Sequence, residues 1–196
     1  MMALHPEIAK KAQLEIDTVT GRDRLPNLED MDHMPYFTTV LQEVIRIFPS
    51  VPLGIPHYTS EDIQLRGYTV PKGAIIYANI WGMLHNPEQY DSPFDFNPDR
   101  FLKSESEPDP RKYIFGFGRR VCPGLHVANN GVWIICASIV ALFDVQPTEE
   151  LLAKVEDLGG RNSLEIYKVI AEYAAGGSPC KLLVRDSNAA TLLEHS

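Results

Sequence analysis

A chain of 196 residues is long enough for one sizeable core or two small ones, and its 44% hydrophobic and 22% charged residues exclude disorder on a large scale. A net charge of −8 argues against nucleic acid as a partner. Three cysteines, Cys122, Cys136 and Cys180, include no C-x-x-C, which argues against a disulfide framework or a zinc ribbon and favours reducing surroundings. The first 19 residues are charged and amphipathic, with neither the apolar core of a signal peptide nor a membrane anchor, so the chain as given is expected to be soluble and cytoplasmic.

Ile8, Ala12, Ile16 and Val19 share one face of a helix predicted over 6–19, which Gly21 ends. A polar loop is expected over 22–32. A second helix is predicted from Pro35, with Val40, Leu41, Val44, Ile45 and Phe48 as its apolar stripe, and Pro49 stops it. Pro52 and Pro56 then keep the chain extended. Short strands are predicted over 62–78, separated by turns at Arg66 and Gly67 and at 71–73. Residues 81–84 read as a helical turn, 86–101 as proline- and aromatic-punctuated coil, and 103–111 as an exposed polar loop. The strongest helix prediction covers 125–143. Its apolar run, 132–143, is too short to span a bilayer and reads as a buried helix, with Cys136 as a small hydrophobe inside it. The tail over 164–184 reads as strands around a turn at 174–177, with Cys180 in a strand, and residues after Asp186 are expected to fray.

Phe115, Gly118, Arg120, Cys122 and Gly124 stand at the spacing F-x-x-G-x-R-x-C-x-G, just before the 125–143 helix. A cysteine at a helix N-terminus is favoured as the thiolate, which can bind a metal. Gly116, Gly118 and Gly124 leave room for the backbone to pass close to a flat group. The other reading of the same residues is a glycine turn beside an inert buried cysteine. Arg100, Lys103, Arg111, Lys112, Arg119 and Arg120 cluster before Cys122, interrupted by Glu105, Glu107 and Asp109. This is either a face for an acidic partner or a solvated mixed-charge surface. The histidines show no paired metal-ligand spacing.

The loop around Cys122 resembles the heme-binding loop of the cytochrome P450 family. Two further stretches keep the family's order. Residues 41–49, with Glu43 and Arg46 as E-x-x-R, resemble its K-helix, and residues 96–101, with Arg100, resemble its P-x-R-F element, Asp99 standing where glutamate is common. The flavour resembles fungal members. The resemblance implies a mainly α fold with small β-sheets, the C-terminal part of the P450 fold, with residues 1–186 as a partial domain carrying the heme-thiolate loop at 115–124, and 187–196 as a frayed tail.

It further implies heme as cofactor, with Cys122 as the axial ligand of the iron; a thiolate there pushes electron density onto the metal and favours O–O cleavage. Arg120 matches the arginine that pairs with a heme propionate, Phe115 the aromatic near the sulfur side of the ring, and His57 a second propionate contact. Gly118 and Gly124 belong to the same cofactor loop. No catalytic residue separate from the heme ligand is implied. Glu43, Arg46 and Arg100 match a buried structural network. Val51, Leu53, Gly54, Ile55, Ala175 and Gly176 match substrate-facing loops.

The function implied is a monooxygenase that inserts oxygen into a small apolar organic substrate, consumes molecular oxygen and draws electrons from a reductase, with secondary metabolism as its setting. Family members are more than twice this length, and their membrane anchor, early helices and oxygen-activating distal helix have no counterpart here. Weak heme retention and little coupled turnover by this chain alone are therefore expected, and a full-length parent would be anchored to the endoplasmic reticulum. The alternative is a truncated, non-catalytic heme-binding or scaffold product.

Overall fold

The computed structural model describes residues 1–103, 105, 107–160, 169 and 179–194. Three helices make the main core. Helix α1 (Pro6–Thr20) starts with proline in its first turn and ends where Gly21, at φ +64°, donates its N–H to the Asp17 carbonyl. Helix α2 (Pro35–Ile47) has no side-chain cap of its own. The Glu15 carboxylate of α1 supplies one, accepting the N–H groups of Tyr36 and Phe37 at 2.9 and 2.7 Å. A negative charge there also complements the positive end of the helix dipole.

Ala12 and Ile16 of α1 and Phe37, Val40 and Ile47 of α2 meet Trp133, Ala137 and Val140 of a long later helix, Leu125–Leu142. Phe37 and Trp133 pack edge to face with centroids 5.7 Å apart, and the indole N–H donates to Thr38 Oγ1 at 3.1 Å.

Between these helices run four short strands: β1 (His57–Tyr58), β2 (Ile63–Leu65), β3 (Tyr68–Val70) and β4 (Ile75–Ile76). β1 pairs antiparallel with β4, and β2 with β3 in the register Ile63 to Val70 and Leu65 to Tyr68. Arg66 and Gly67, at φ +49° and +86°, form the two-residue turn that suits such a hairpin. Both ribbons are exposed along nearly their whole length. Helix α3 (Ile80–Leu84) and helix α4 (Arg111–Ile114) share a smaller cluster with Ile80, Leu84 and Tyr90 at its centre. The long helix, α5, leads into β5 (Phe143–Pro147), which pairs antiparallel with β6 (Cys180–Val184). Helix α6 (Glu149–Asp157) is capped by Thr148, whose side chain accepts the Leu151 N–H.

Several expectations need correction. The polar stretch over 22–32 holds a tight helical segment, Leu28–His33, because Asn27 and Asp30 form a reciprocal capping box and Arg24 forks onto Asp30 at 2.6 and 2.7 Å. Those hydrogen bonds hold the Asp30 carboxyl down at about 2. Residues 187–194 do not fray: helix α7 (Ser187–Glu194) forms because the Asp186 carboxylate accepts the Ala189 N–H at 3.1 Å and Ala189 is buried. Arg22 pairs with Asp186, and Arg185 forks onto Asp17 at 2.8 and 2.6 Å, tying this end to α1.

Helix α5 is not a buried helix throughout. Trp133, Ala137, Val140 and Leu142 are buried, whereas Val127, Val132 and Ile135 are exposed. At 18 residues it is long and apolar enough to cross a membrane by length and composition, with 22% of it buried. Cys136 is half-buried against the main core, and burial pushes its thiol pKa up. Ala175, Gly176 and the turn expected at 174–177 lie outside the described residues.

Candidate functional site

Two sites flank α2, one dry and one open. On the dry side, Glu43 and Arg46 stand three residues apart on the helix, so they share a flank, and both side chains are fully buried. The Arg46 fork donates to both Glu43 oxygens, at 2.8 and 2.9 Å. Its remaining N–H groups go to the carbonyls of Leu84, Pro93 and Asp95 at 2.9, 2.7 and 3.3 Å. Arg100 sits on a tight turn, Pro98–Phe101, that proline starts and Asn97 caps. Its Nε donates to Glu43 Oε1 at 3.1 Å, and the carbonyls of Asp91, Ser92 and Asp95 accept three more of its N–H groups.

The fifth N–H of Arg100 donates to Glu107 Oε2 at 2.6 Å. Every guanidinium N–H in the cluster thus has an acceptor, which is the condition for burying two cations. Sequence reasoning missed Glu107. It was expected in an exposed polar loop over 103–111, whereas it is only partly exposed and Pro110 is buried. The backbone carbonyls that complete the two arginine shells carry no residue-type signal at all.

On the other side of α2 lies a cavity of about 1220 Å³, above the roughly 300–1,000 Å³ of ordinary small-molecule pockets. Cys122 lines it, with Phe115, Arg120, His57, Val51, Gly54 and Ile55. Leu53 is exposed and lies outside the lining, as do Gly118 and Gly124. Residues not assigned to this site from sequence complete the wall, chiefly Thr38 and Val44 of α2, Ala128, Asn129 and Val132 of α5, and Phe117. A helix-face count could have suggested Val44. The α5 residues become wall only because that helix packs beside the loop.

The loop itself is built by glycine and one backbone bond. Gly116 and Gly118 have φ +80° and +58°, a region that glycine enters freely. The Cys122 N–H donates to the Phe115 carbonyl at 2.7 Å, which closes the loop and presents the sulfur. Gly124 precedes α5 at an ordinary φ of −87°, and a Cβ there would lie 3.8 Å from the Cys122 sulfur, ordinary van der Waals distance. The thiol is exposed, not the inert buried cysteine of the alternative reading. Among the described residues no cluster of three histidine, cysteine or acidic side chains could hold a bare metal ion.

The donor set fits a flat, largely apolar metal macrocycle with anionic edges. A single exposed thiol faces apolar wall residues that remain solvent-exposed, among them Val51, Ile55, Phe117 and Val132. Arg120 and His57 supply polar edges to the same space.

Comparisons with known proteins point the same way. The family model for cytochrome P450 matches residues 1–163. The chain is 49% identical over 147 residues to cytochrome P450 monooxygenase 208 of Postia placenta, covering 74% of this chain and 29% of that protein. It is 40% identical over 197 residues to cytochrome P450 monooxygenase claR of Ampulloclitocybe clavipes, covering 98% of this chain and 35% of that protein. A zebra fish cytochrome P450 solved with abiraterone superposes with a TM-score of 0.68 at 36% identity, over 76% of this chain and 34% of that one. The chain spans about a third of the length of these relatives.

Proposed function

The chain belongs to the cytochrome P450 family, and on that premise we propose that it is the heme-thiolate segment of a monooxygenase acting on a small apolar organic substrate. The observation that carries this reading is the exposed Cys122 thiol in the wall of a cavity of about 1220 Å³ shared with Arg120, His57 and Phe115.

In this reading Cys122 would hold the heme iron through its sulfur, and its N–H bond to the Phe115 carbonyl closes the loop that presents it. Arg120 makes no ion pair with the described residues, so its fork would be available for a propionate, and His57, in the same lining, would be available for the second. Phe115, in the same lining, would pack near the sulfur side of the ring. Gly118 keeps the loop in its left-handed turn, and Gly124 belongs to the same cofactor loop. Val51, Gly54 and Ile55 would form the substrate-facing wall, and Leu53, exposed outside that lining, is not part of it; Ala175 and Gly176, outside the described residues, are proposed for a second substrate loop. Heme, when bound, supplies the iron chemistry that activates molecular oxygen with electrons from a reductase.

Residues 1–186 are proposed as one partial domain of the parent fold, of which the family model matches 1–163. Names such as claR belong to the relatives, and secondary metabolism is the setting proposed for this chain by analogy. The full-length parent is proposed to be anchored to the endoplasmic reticulum. Heme retention by this chain alone is expected to be weak, because the apolar wall around Cys122 stands open to water.

The test is reconstitution with heme and the spectrum of the reduced, carbon-monoxide-bound form. Wild type gives a thiolate-type band and Cys122→Ala does not. The absence of that band in wild type removes cofactor binding from this chain and leaves the scaffold reading.

A further inference from the structure

The buried charges in the dry cluster do not balance without Glu107. Glu43 faces two guanidiniums, Arg46 and Arg100, so the three together carry one excess positive charge in a region where all three side chains are at most 1% exposed. An unpaired buried charge is strongly disfavoured. Glu107, its side chain 14% exposed and 2.6 Å from Arg100, brings the sum to zero. Its other oxygen accepts the Asp91 N–H at 3.4 Å.

The placement of this counter-charge in the chain matters as much as its sign. Glu107 lies four residues before α4, whose end at Phe115 holds the Cys122 N–H. The two residues after it are also fixed. The Tyr90 hydroxyl donates to the Pro108 carbonyl at 2.9 Å. Asp109 accepts from the Arg111 backbone N–H at 2.9 Å, from the Arg111 guanidinium, and from Gln42, the neighbour of Glu43 on α2. Three consecutive residues are thus bound to three separate partners around α2, directly upstream of the cysteine loop.

We propose that Glu107 is a positioning residue for Cys122: by neutralising Arg100 it docks the 107–111 segment onto the buried cluster and so sets where α4, Phe115 and the sulfur stand. The charge links the dry side of α2 to the open side through the backbone.

Hydrogen exchange on the full chain, comparing wild type, Glu107→Gln and Glu107→Ala, tests this without any cofactor. Glutamine keeps the shape and an acceptor for Asp91 but removes the counter-charge. Amides over 108–124 are expected to exchange at least about tenfold faster in both variants, the loss of a charge-assisted hydrogen bond, while α1 and α2 keep their protection. Glu105→Gln, two residues away and exposed, leaves the pattern unchanged. Unchanged exchange over 108–124, or a uniform loss of protection across the chain in both variants, overturns the proposal.

A second readout rests on the heme reading above. In heme-reconstituted Glu107→Gln the thiolate-type fraction of the reduced carbon-monoxide spectrum falls at equal total heme; an unchanged fraction counts against positioning. A wild type without the thiolate band refutes the heme reading alone, and the exchange experiment still decides the role of Glu107.

Discussion

The two flanks of α2 use polar groups in opposite ways. On the dry flank, four charged side chains and a ring of carbonyls satisfy one another, and nothing is left over for a ligand. On the open flank, a thiol, a guanidinium and an imidazole face a large cavity among exposed apolar side chains. The difference teaches that the same residue types hold structure where acceptors surround them and become available for binding where they do not. Arg100 and Arg120 are chemically identical and separated mainly by this.

The sharpest way to break the comparison is on the dry flank. Glu43→Ala leaves two buried guanidiniums facing a lone remaining carboxylate and should cost about 3–5 kcal/mol, read as a shift in the urea unfolding midpoint; a loss below 1 kcal/mol would mean that the cluster is not dry. His85 offers a milder probe of the same flank. It stacks on Trp81 and Phe94, its Nδ1–H donates to the Trp81 carbonyl at 2.8 Å, and burial holds its pKa at about 4 against an ordinary 6.5.

The sign follows from which state binds the proton. Below 6.5 the unfolded chain protonates His85 while the folded one does not, so this contribution is complete above 6.5 and is lost as pH falls towards 4. The loss is at most about 3 kcal/mol, reduced by solvent screening. Stability of wild type and His85→Phe measured between these pH values should differ in slope, with the variant flatter.

On the open flank the effects on stability shrink. Gly118→Ala forces a side chain into φ +58° and should cost about 1–2 kcal/mol by thermal unfolding, through backbone strain alone, since nothing lies within 4 Å of the added Cβ. Cys122→Ala should change stability by less than about 0.5 kcal/mol, as exposed substitutions do, while removing the thiolate-type spectrum. A large destabilisation by Cys122→Ala would erase the distinction between the flanks.

Much of this was legible in the chain. Helix α1 followed from four apolar residues on one face and a terminal glycine, and the β2–β3 hairpin from its Arg66–Gly67 turn. Glu43 and Arg46 stood at a spacing that places both on one flank. Exposure was harder to read. The apolar run in α5 suggested burial all round, yet one face lies open, because the pattern along a single helix does not say what packs against it. Glu107 looked like one more acid in a mixed-charge loop, and its partner lies seven residues back on a different element. The tail helix was missed although its cap, Asp186, lies only three residues before Ala189; its anchoring ion pair to Arg22 acts across the fold and leaves no local signal.

By itself, the sequence determined what is local and short-ranged. Helix and turn signals, the glycines that allow a left-handed loop, and a cysteine set before a helix are properties of a few neighbouring residues and the backbone between them. Only the tertiary structure decided which charges are dry and which face the cavity. Burial depends on residues brought together from distant parts of the chain, and the free energy of a charge depends on its surroundings far more than on its identity. Glu107 and Cys122 show the two outcomes: one acid folded inward to cancel a buried charge, one thiol left outward in an open cavity.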